Sequence, residues 1–246
     1  MQTVKKQTLA VSAGVHATQD GLTSTVYVLL PILAQSLGLS YAQVGTVRAV
    51  YSGMMWVLEI PAGILSERFG EQRLLVFGLI AAGLGYGILS IADSYYGVLF
   101  ALLIAGTGAA FQHSLSSALI SRVYDGPSGR VALGTYNASG DTGKLLFTGV
   151  ASLLFGAGIA WQEVVSGYAI LALLVSVVLW LGLLIIIPHI DMLLISLRER
   201  ISFGVYETSL AQYEKALTEP LYLRTFWRTA VMSVLATALT LLIAFP

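Results

Sequence analysis

Six ionisable side chains lie inside long apolar stretches of this sequence: His16, Asp20, Glu59, His113, Asp141 and Lys144. His16 and Asp20 stand four residues apart, and Asp141 and Lys144 three apart, so each pair shares one face of a helix. Facing hydrocarbon, each such group would cost at least about 2.5 kcal/mol, so all six are expected to turn toward a shared, partly wet interior. A buried carboxylate there can carry a proton through a cycle. That is the role expected of Asp20 and Asp141, with His16 and His113 as polar partners. Structural roles compete with this one. A histidine in a membrane helix can simply donate to a neighbouring carbonyl, and Lys144 can simply neutralise Asp141 or Asp20 and hold two helices together. Function outweighs structure for the two aspartates, whereas the readings balance for His113, Glu59 and Lys144.

The elements that must position these groups are membrane spans. Hydrophobic residues make up 57% of the chain and charged residues 11%, against about 25% charged in a soluble domain. Apolar segments near 9–37, 42–66, 72–92, 96–121, 131–157 and 168–188 supply the roughly 20 residues that a crossing needs. A seventh, shorter one runs from about residue 229 to the end. Lipid leaves no partner for free backbone groups, so helices are expected, and the runs exceed the ~10-residue strands of an outer-membrane barrel. His16 and Asp20 interrupt the first segment, which therefore reads as an uncleaved span rather than a signal peptide.

Charge placement orients the spans. Lys5, Lys6, Arg68, Arg73, Arg122 and Arg130 fall on one side, while the opposite joints hold only Asp93 and Glu163. The N-terminus is expected in the cytoplasm, of a bacterial-type inner membrane. Counting from the cytoplasmic ends puts the six ionisable groups at about 10–20 Å depth. Arg48 lies nearer the outer end of its helix and is expected to snorkel to the interface. Small-residue runs at Gly83–Gly87 and Ala105–Ala110 let helices approach closely. Basic and acidic residues balance at 13 each, so no nucleic-acid partner is indicated, and cysteine is absent. No metal-ligand cluster or activated nucleophile emerges, so neither an enzyme nor a cofactor is expected. Residues Ala138–Leu145 mimic a phosphate-binding loop, but Leu145 cannot supply the metal-binding hydroxyl, and the segment lies within an apolar helix.

Between the second and third spans stands the charged turn Gly63-Ile64-Leu65-Ser66-Glu67-Arg68-Phe69-Gly70-Glu71-Gln72-Arg73. Its spacing, G-x-L-x-D/E-R-x-G-x-x-R, resembles the loop at this place in major facilitator superfamily (MFS) transporters. His16-x-x-x-Asp20, the glycine-rich Gly106–His113 and the segment Leu133–Gly143 are similar to the fosmidomycin-resistance-like branch of that family. The resemblance covers residues 1 to about 165. It implies efflux of a small drug-like molecule or metabolite driven by inward proton flow. His16, Asp20, Glu59, His113, Asp141 and Lys144 would then bind substrate or proton, and Gly63, Glu67, Arg68, Gly70 and Arg73 would form a cytoplasmic gate latch. The sequence departs from the branch at Ser114, where proline is usual, at Thr148-Gly149, where Gly-Pro is expected, and at Lys144, an added intramembrane cation. Tyr95-Tyr96-Gly97 stands where many proton antiporters carry an arginine.

From about Val175 the tail resembles a different family, the start of a polyamine-type ABC importer permease, through Leu179–Pro188, Tyr213–Arg224 and Thr225–Pro246. The two resemblances place the 189–228 loop on opposite sides of the membrane. The expected fold is an all-α membrane protein, a six-helix MFS-like half-transporter bundle plus one extra C-terminal transmembrane helix. Residues 1–168 would form the first five helices, and 169–246 the sixth helix, a loop and the last span. The leading function is secondary transport by a truncated or fused chain. A permease subunit fragment and an inactive membrane fragment are the alternatives. The expected partners are the lipid bilayer, a small-molecule substrate, protons, and either a second copy of the chain or a separate second half.

Overall fold

Short polar joints end one helix and begin the next. After α1 (Gln2–Leu37), the Ser40 hydroxyl accepts from the Gln43 backbone N–H at 3.3 Å while the Gln43 side chain accepts from the Ser40 N–H at 2.9 Å, a reciprocal cap that starts α2 (Tyr41–Phe69). Gly70 alone separates α2 from α3 (Glu71–Ser90), and its φ of 83° is a conformation that glycine adopts without strain. Ser94 caps α4 (Tyr95–Ala110), and Pro127 sits in the first turn of α6 (Gly126–Gly156), where its missing N–H costs nothing. α5 (Gln112–Val123) lies between them, and α7 (Trp161–Leu179) runs into a π-helical turn at Trp180–Ile186. The computed structural model describes residues 2–202 and 205–244; the side chains of residues 2–4, 113, 183–185, 187, 188, 200, 205 and 241–244 lie outside that description.

The first compact unit, Met1–Leu183, is built on helix pairs. α1 packs along α6, α3 packs between α4 and α7, and α2 lies on α4. Leu22, Leu29, Val47, Leu79, Leu102 and Val165 form the shared core, with Tyr51 and Tyr86 fully buried among them. The Tyr86 hydroxyl donates to the Leu22 carbonyl, tying α3 to α1. Glycines set the α3–α4 distance: a Cβ on Gly108 would overlap the Gly78 carbonyl and the Ala82 backbone. Among the described residues, four helical segments are long and apolar enough to cross a membrane: Tyr41–Phe69, Glu71–Ser90, Tyr95–Val123 and Trp161–Gly182. α1 and α6 are longer than any other helix, at 36 and 31 residues, and carry most of the ionisable groups.

The fourth apolar run is not one continuous helix. It breaks at Phe111, whose N–H bonds the Gly108 carbonyl three residues back at 3.4 Å. Gly106 and Gly108 give this stretch close packing at the expense of helix propensity. Residue 168 falls within α7, which packs on α3 and lies wholly in the first unit.

The second unit, Leu184–Pro246, carries more structure than the connecting loop read for 189–228. α8 (Ile187–Ser196) leads into a β-hairpin of β1 (Arg198–Ser202) and β2 (Val205–Thr208), with Arg198 opposite Thr208 and Arg200 opposite Tyr206. Ile201, Tyr206 and Thr208 are residue types that favour strands. α9 (Ala211–Thr218) follows, and α10 (Pro220–Ala244) starts at a proline, nine residues ahead of the apolar run at 229.

The α3–α4 contact makes a simple prediction for thermal unfolding of the purified chain. Gly108→Ala should destabilise by about 1–3 kcal/mol through overpacking. Gly14→Ala, which meets nothing within 4 Å, should be neutral or stabilising because alanine favours helix. Equal effects at the two positions would contradict the packing described.

Candidate functional site

The α1–α6 seam is closed by glycine. A Cβ on Gly143 would overlap the Ala17 carbonyl, one on Gly140 would strike the His16 ring and the Asp20 carboxylate, and one on Gly21 would strike Phe147. The seam therefore brings α6 backbone directly against the face of α1 that carries His16 and Asp20. Both side chains are almost fully buried, at 4% and 3% exposure. The His16 ring stacks on Tyr136 with centroids 4.0 Å apart, and its Nδ1 lies 2.9 Å from the Tyr136 carbonyl oxygen. Ser139 Oγ reaches the carbonyls of Tyr136 and Ala13, at 2.6 and 3.0 Å, from the same turn of α6.

A carbonyl oxygen only accepts, so Nδ1 carries a hydrogen. His16 Nε2 then faces Asp20 Oδ2 at 3.2 Å. Two lone pairs at that distance repel, and the contact is bonding only when one proton lies between the two atoms. Lys144 approaches the same oxygen: its Nζ is 3.1 Å from Asp20 Oδ2 and 3.0 Å from Asp141 Oδ1. Lys144 and Asp141 are open, at 47% and 77% exposure. The cluster thus grades from a buried imidazole–carboxylate pair to an accessible ion pair, with Lys144 joining them. These four side chains balance in charge with the shared proton, and without it their sum is one negative charge.

Glu59 and the charged turn lie elsewhere. Glu59 is exposed on α2 and lines a pocket of about 250 Å³ with Met55, Trp56, Ala109 and Ala110. It makes no ion pair among the described residues. His113 occupies the second position of α5, but its side chain lies outside the described residues. At the charged turn, Glu67, Arg68 and Arg73 are exposed and form no ion pair among the described residues, while Gly63 accepts from the Ser66 hydroxyl at 2.6 Å. Gly70 supplies the bend. The pair formed here is Glu71 with Arg122, at 2.6 Å, joining α3 to α5. Sequence reasoning passed over Glu71 and also Tyr136, whose carbonyl assigns the His16 hydrogen. The guanidinium of Arg48, expected at the interface, donates to the Tyr27 hydroxyl.

Removing Lys144 takes an ammonium away from Asp20 Oδ2, which it reaches at 3.1 Å. A double-mutant cycle of Lys144→Met and Asp20→Asn, read by thermal unfolding, should give a coupling of about 0.5–3 kcal/mol, as for residues in one polar network. Additive losses would show that the lysine does not stabilise the buried carboxylate.

Comparison with known proteins places these features in a family. Residues 11–246 match the family model of the Major Facilitator Superfamily, a match that includes the tail from Val175 onward; no permease likeness is shown there. The chain is 34% identical over 134 residues to the probable 4-methylmuconolactone transporter of Cupriavidus pinatubonensis, covering 54% of this chain and 30% of that protein. It is 32% identical over 135 residues to the class G tetracycline resistance protein of Vibrio anguillarum, covering 53% and 33%. It is 25% identical over 162 residues to the fosmidomycin resistance protein of Escherichia coli, covering 64% and 40%. The matched stretch thus spans well under half the length of these curated relatives. Among solved structures, a POT family transporter in complex with 5-aminolevulinic acid superposes with a TM-score of 0.55 at 15% identity, covering 96% of this chain and 46% of that one, a likeness of fold.

Proposed function

Because the chain belongs to the major facilitator superfamily, we propose that it is a proton-coupled secondary transporter that exports a small drug-like molecule or metabolite. The observation that carries this reading is the sharing of Asp20 Oδ2 between His16 Nε2 at 3.2 Å and Lys144 Nζ at 3.1 Å. With a proton on His16, the imidazolium balances Asp20 and leaves Lys144 to balance Asp141. When the proton leaves, the neutral imidazole turns a lone pair toward Asp20, and Lys144 is drawn fully onto that carboxylate. Asp141, the most open member of the cluster, is then released to take hydrogen-bond donors from a solute. Loss of the proton and capture of the solute are in this way two ends of one lysine displacement. Such exchange is the logic of an antiporter.

Glu67, Arg68 and Arg73, hinged on Gly63 and Gly70, serve in this account as the latch at the cytoplasmic end. They are unpaired among the described residues here and pair in the alternate state. The N-terminus is taken as cytoplasmic and the membrane as a bacterial-type inner membrane, from the basic residues on that side. Glu59 and His113 are assigned to the substrate path as secondary polar groups. Alternating access rocks one helical bundle against another, so a second bundle, from the same polypeptide or another copy, completes the cycle.

The test is flux in proteoliposomes holding the full chain and a pH-sensitive dye. Addition of tetracycline or fosmidomycin should discharge an imposed proton gradient, and Asp20→Asn should abolish the discharge. Lys144→Met should keep proton binding but lose the solute dependence. Equal discharge by the wild type and Asp20→Asn would contradict the proposal. Movement that instead requires ATP and an added ATPase would support the permease reading of the tail, and silence in both assays would support the inactive fragment.

A further inference from the structure

Arg48 is a membrane-helix cation whose charge no carboxylate among the described residues balances. It lies on α2, about 10 Å along from the helix start at Tyr41. No carboxylate among the described residues comes within ion-pair distance of it. Its Nη2 donates to the Tyr27 hydroxyl of α1, and its Cζ stands 4.2 Å from the Tyr27 ring centroid and 5.8 Å from that of Tyr51. Tyr51 in turn shares a 2.9 Å hydrogen bond with Thr23. Two aromatic faces and a hydroxyl thus fix the guanidinium plane. Its other terminal nitrogen, Nη1, is buried and has no hydrogen-bond partner among the described residues. Tyr27, by contrast, is 56% exposed, so the cluster is open on one side.

A guanidinium held in place by aromatic rings, with one buried terminal nitrogen left over and the other spending one N–H on Tyr27, is suited to a planar oxyanion. Arginine binds carboxylate and phosphate oxygens through two parallel donors, and a desolvated, charge-assisted bond of this kind is stronger than a neutral one. Aromatic rings beside the cation stabilise it without consuming its donors. Burying such a charge without an anion is costly. We propose that Arg48, with Tyr27 and Tyr51, forms an oxyanion site on the α1–α2 face, taking the acid group of an organic anion against the tyrosine rings. This rests on the transport reading only in taking that anion to be cargo; the binding itself needs no flux. A lipid headgroup phosphate offers the same chemistry from a second source.

The full chain in nanodiscs of phosphatidylcholine alone provides the test, with benzoate as the probe and benzamide as its uncharged counterpart, followed by calorimetry. Benzoate should bind and benzamide should not. Arg48→Gln should weaken benzoate by about tenfold or more, as expected for loss of a charged donor. Tyr27→Phe, which keeps the ring and removes only the hydroxyl that orients the fork, should weaken it less. Unchanged thermal unfolding of both variants shows that they fold. Repeating the titration in discs containing phosphatidylglycerol separates the sources. Loss of benzoate affinity there, with the loss absent in Arg48→Gln, identifies a lipid phosphate as a competing occupant of the same site. Benzoate binding that is equal in the wild type and Arg48→Gln, or no binding of benzoate or anionic lipid that depends on Arg48, overturns the proposal. Arg48-dependent binding without any flux would leave this site standing and count against the transport reading instead.

Discussion

Gly143 presses the backbone of α6 against the carbonyl of Ala17, and Gly140 leaves just enough room for the His16 ring and the Asp20 carboxylate. The polar contacts that cross between the two helices follow from that closeness. A side chain at either glycine would push the helices apart and take Lys144 away from Asp20 Oδ2, which it now reaches at 3.1 Å. The closeness also fixes the hydrogen on His16, because the acceptor at Nδ1 is a backbone carbonyl of the same α6 turn. A structural constraint made of absent side chains thus specifies the protonation chemistry of a present one.

Burial then divides the cluster into an inner and an outer half. His16 and Asp20 are shut away, whereas Lys144 and Asp141 are open. A charge change inside cannot be screened by solvent at that place, so its nearest relief is movement of the flexible lysine, whose ammonium sits between the two carboxylates. In the proposed exchange, this arrangement would convert a proton on a buried ring into the availability of an accessible carboxylate. Arg48 stands apart from this exchange, on the α1–α2 face, and contributes a charge of the opposite sign with its own aromatic support.

Much of this was legible in the sequence because it depends on spacing within one helix. The His16–Asp20 and Asp141–Lys144 pairs follow from helical periodicity, and the option that Lys144 neutralises Asp20 was open from residue types alone. What spacing within a helix does not contain is the rotation of one helix against another. The choice of Tyr136 as the His16 acceptor, the pairing of Glu71 with Arg122 and the meeting of Arg48 with Tyr27 each need two helices placed in register. The glycines at 140 and 143 enter the sequence reading as part of the Leu133–Gly143 resemblance; their particular work appears only when Ala17 and Asp20 are seen opposite them. The β-hairpin at 198–208 escaped for another reason. Its charged residues read as a solvated loop, while the backbone pairs them in alternation.

The central claim is that His16 holds a hydrogen on Nδ1 at all times and gains or loses one on Nε2 against Asp20. Nitrogen-15 chemical shifts of His16 in the full chain, measured across a pH titration in bilayers, test it most directly. The account predicts an imidazolium that converts to the neutral Nδ1–H form, with the conversion displaced when Asp20 is changed to Asn. A neutral form carrying its hydrogen on Nε2, or a titration indifferent to Asp20→Asn, would contradict it.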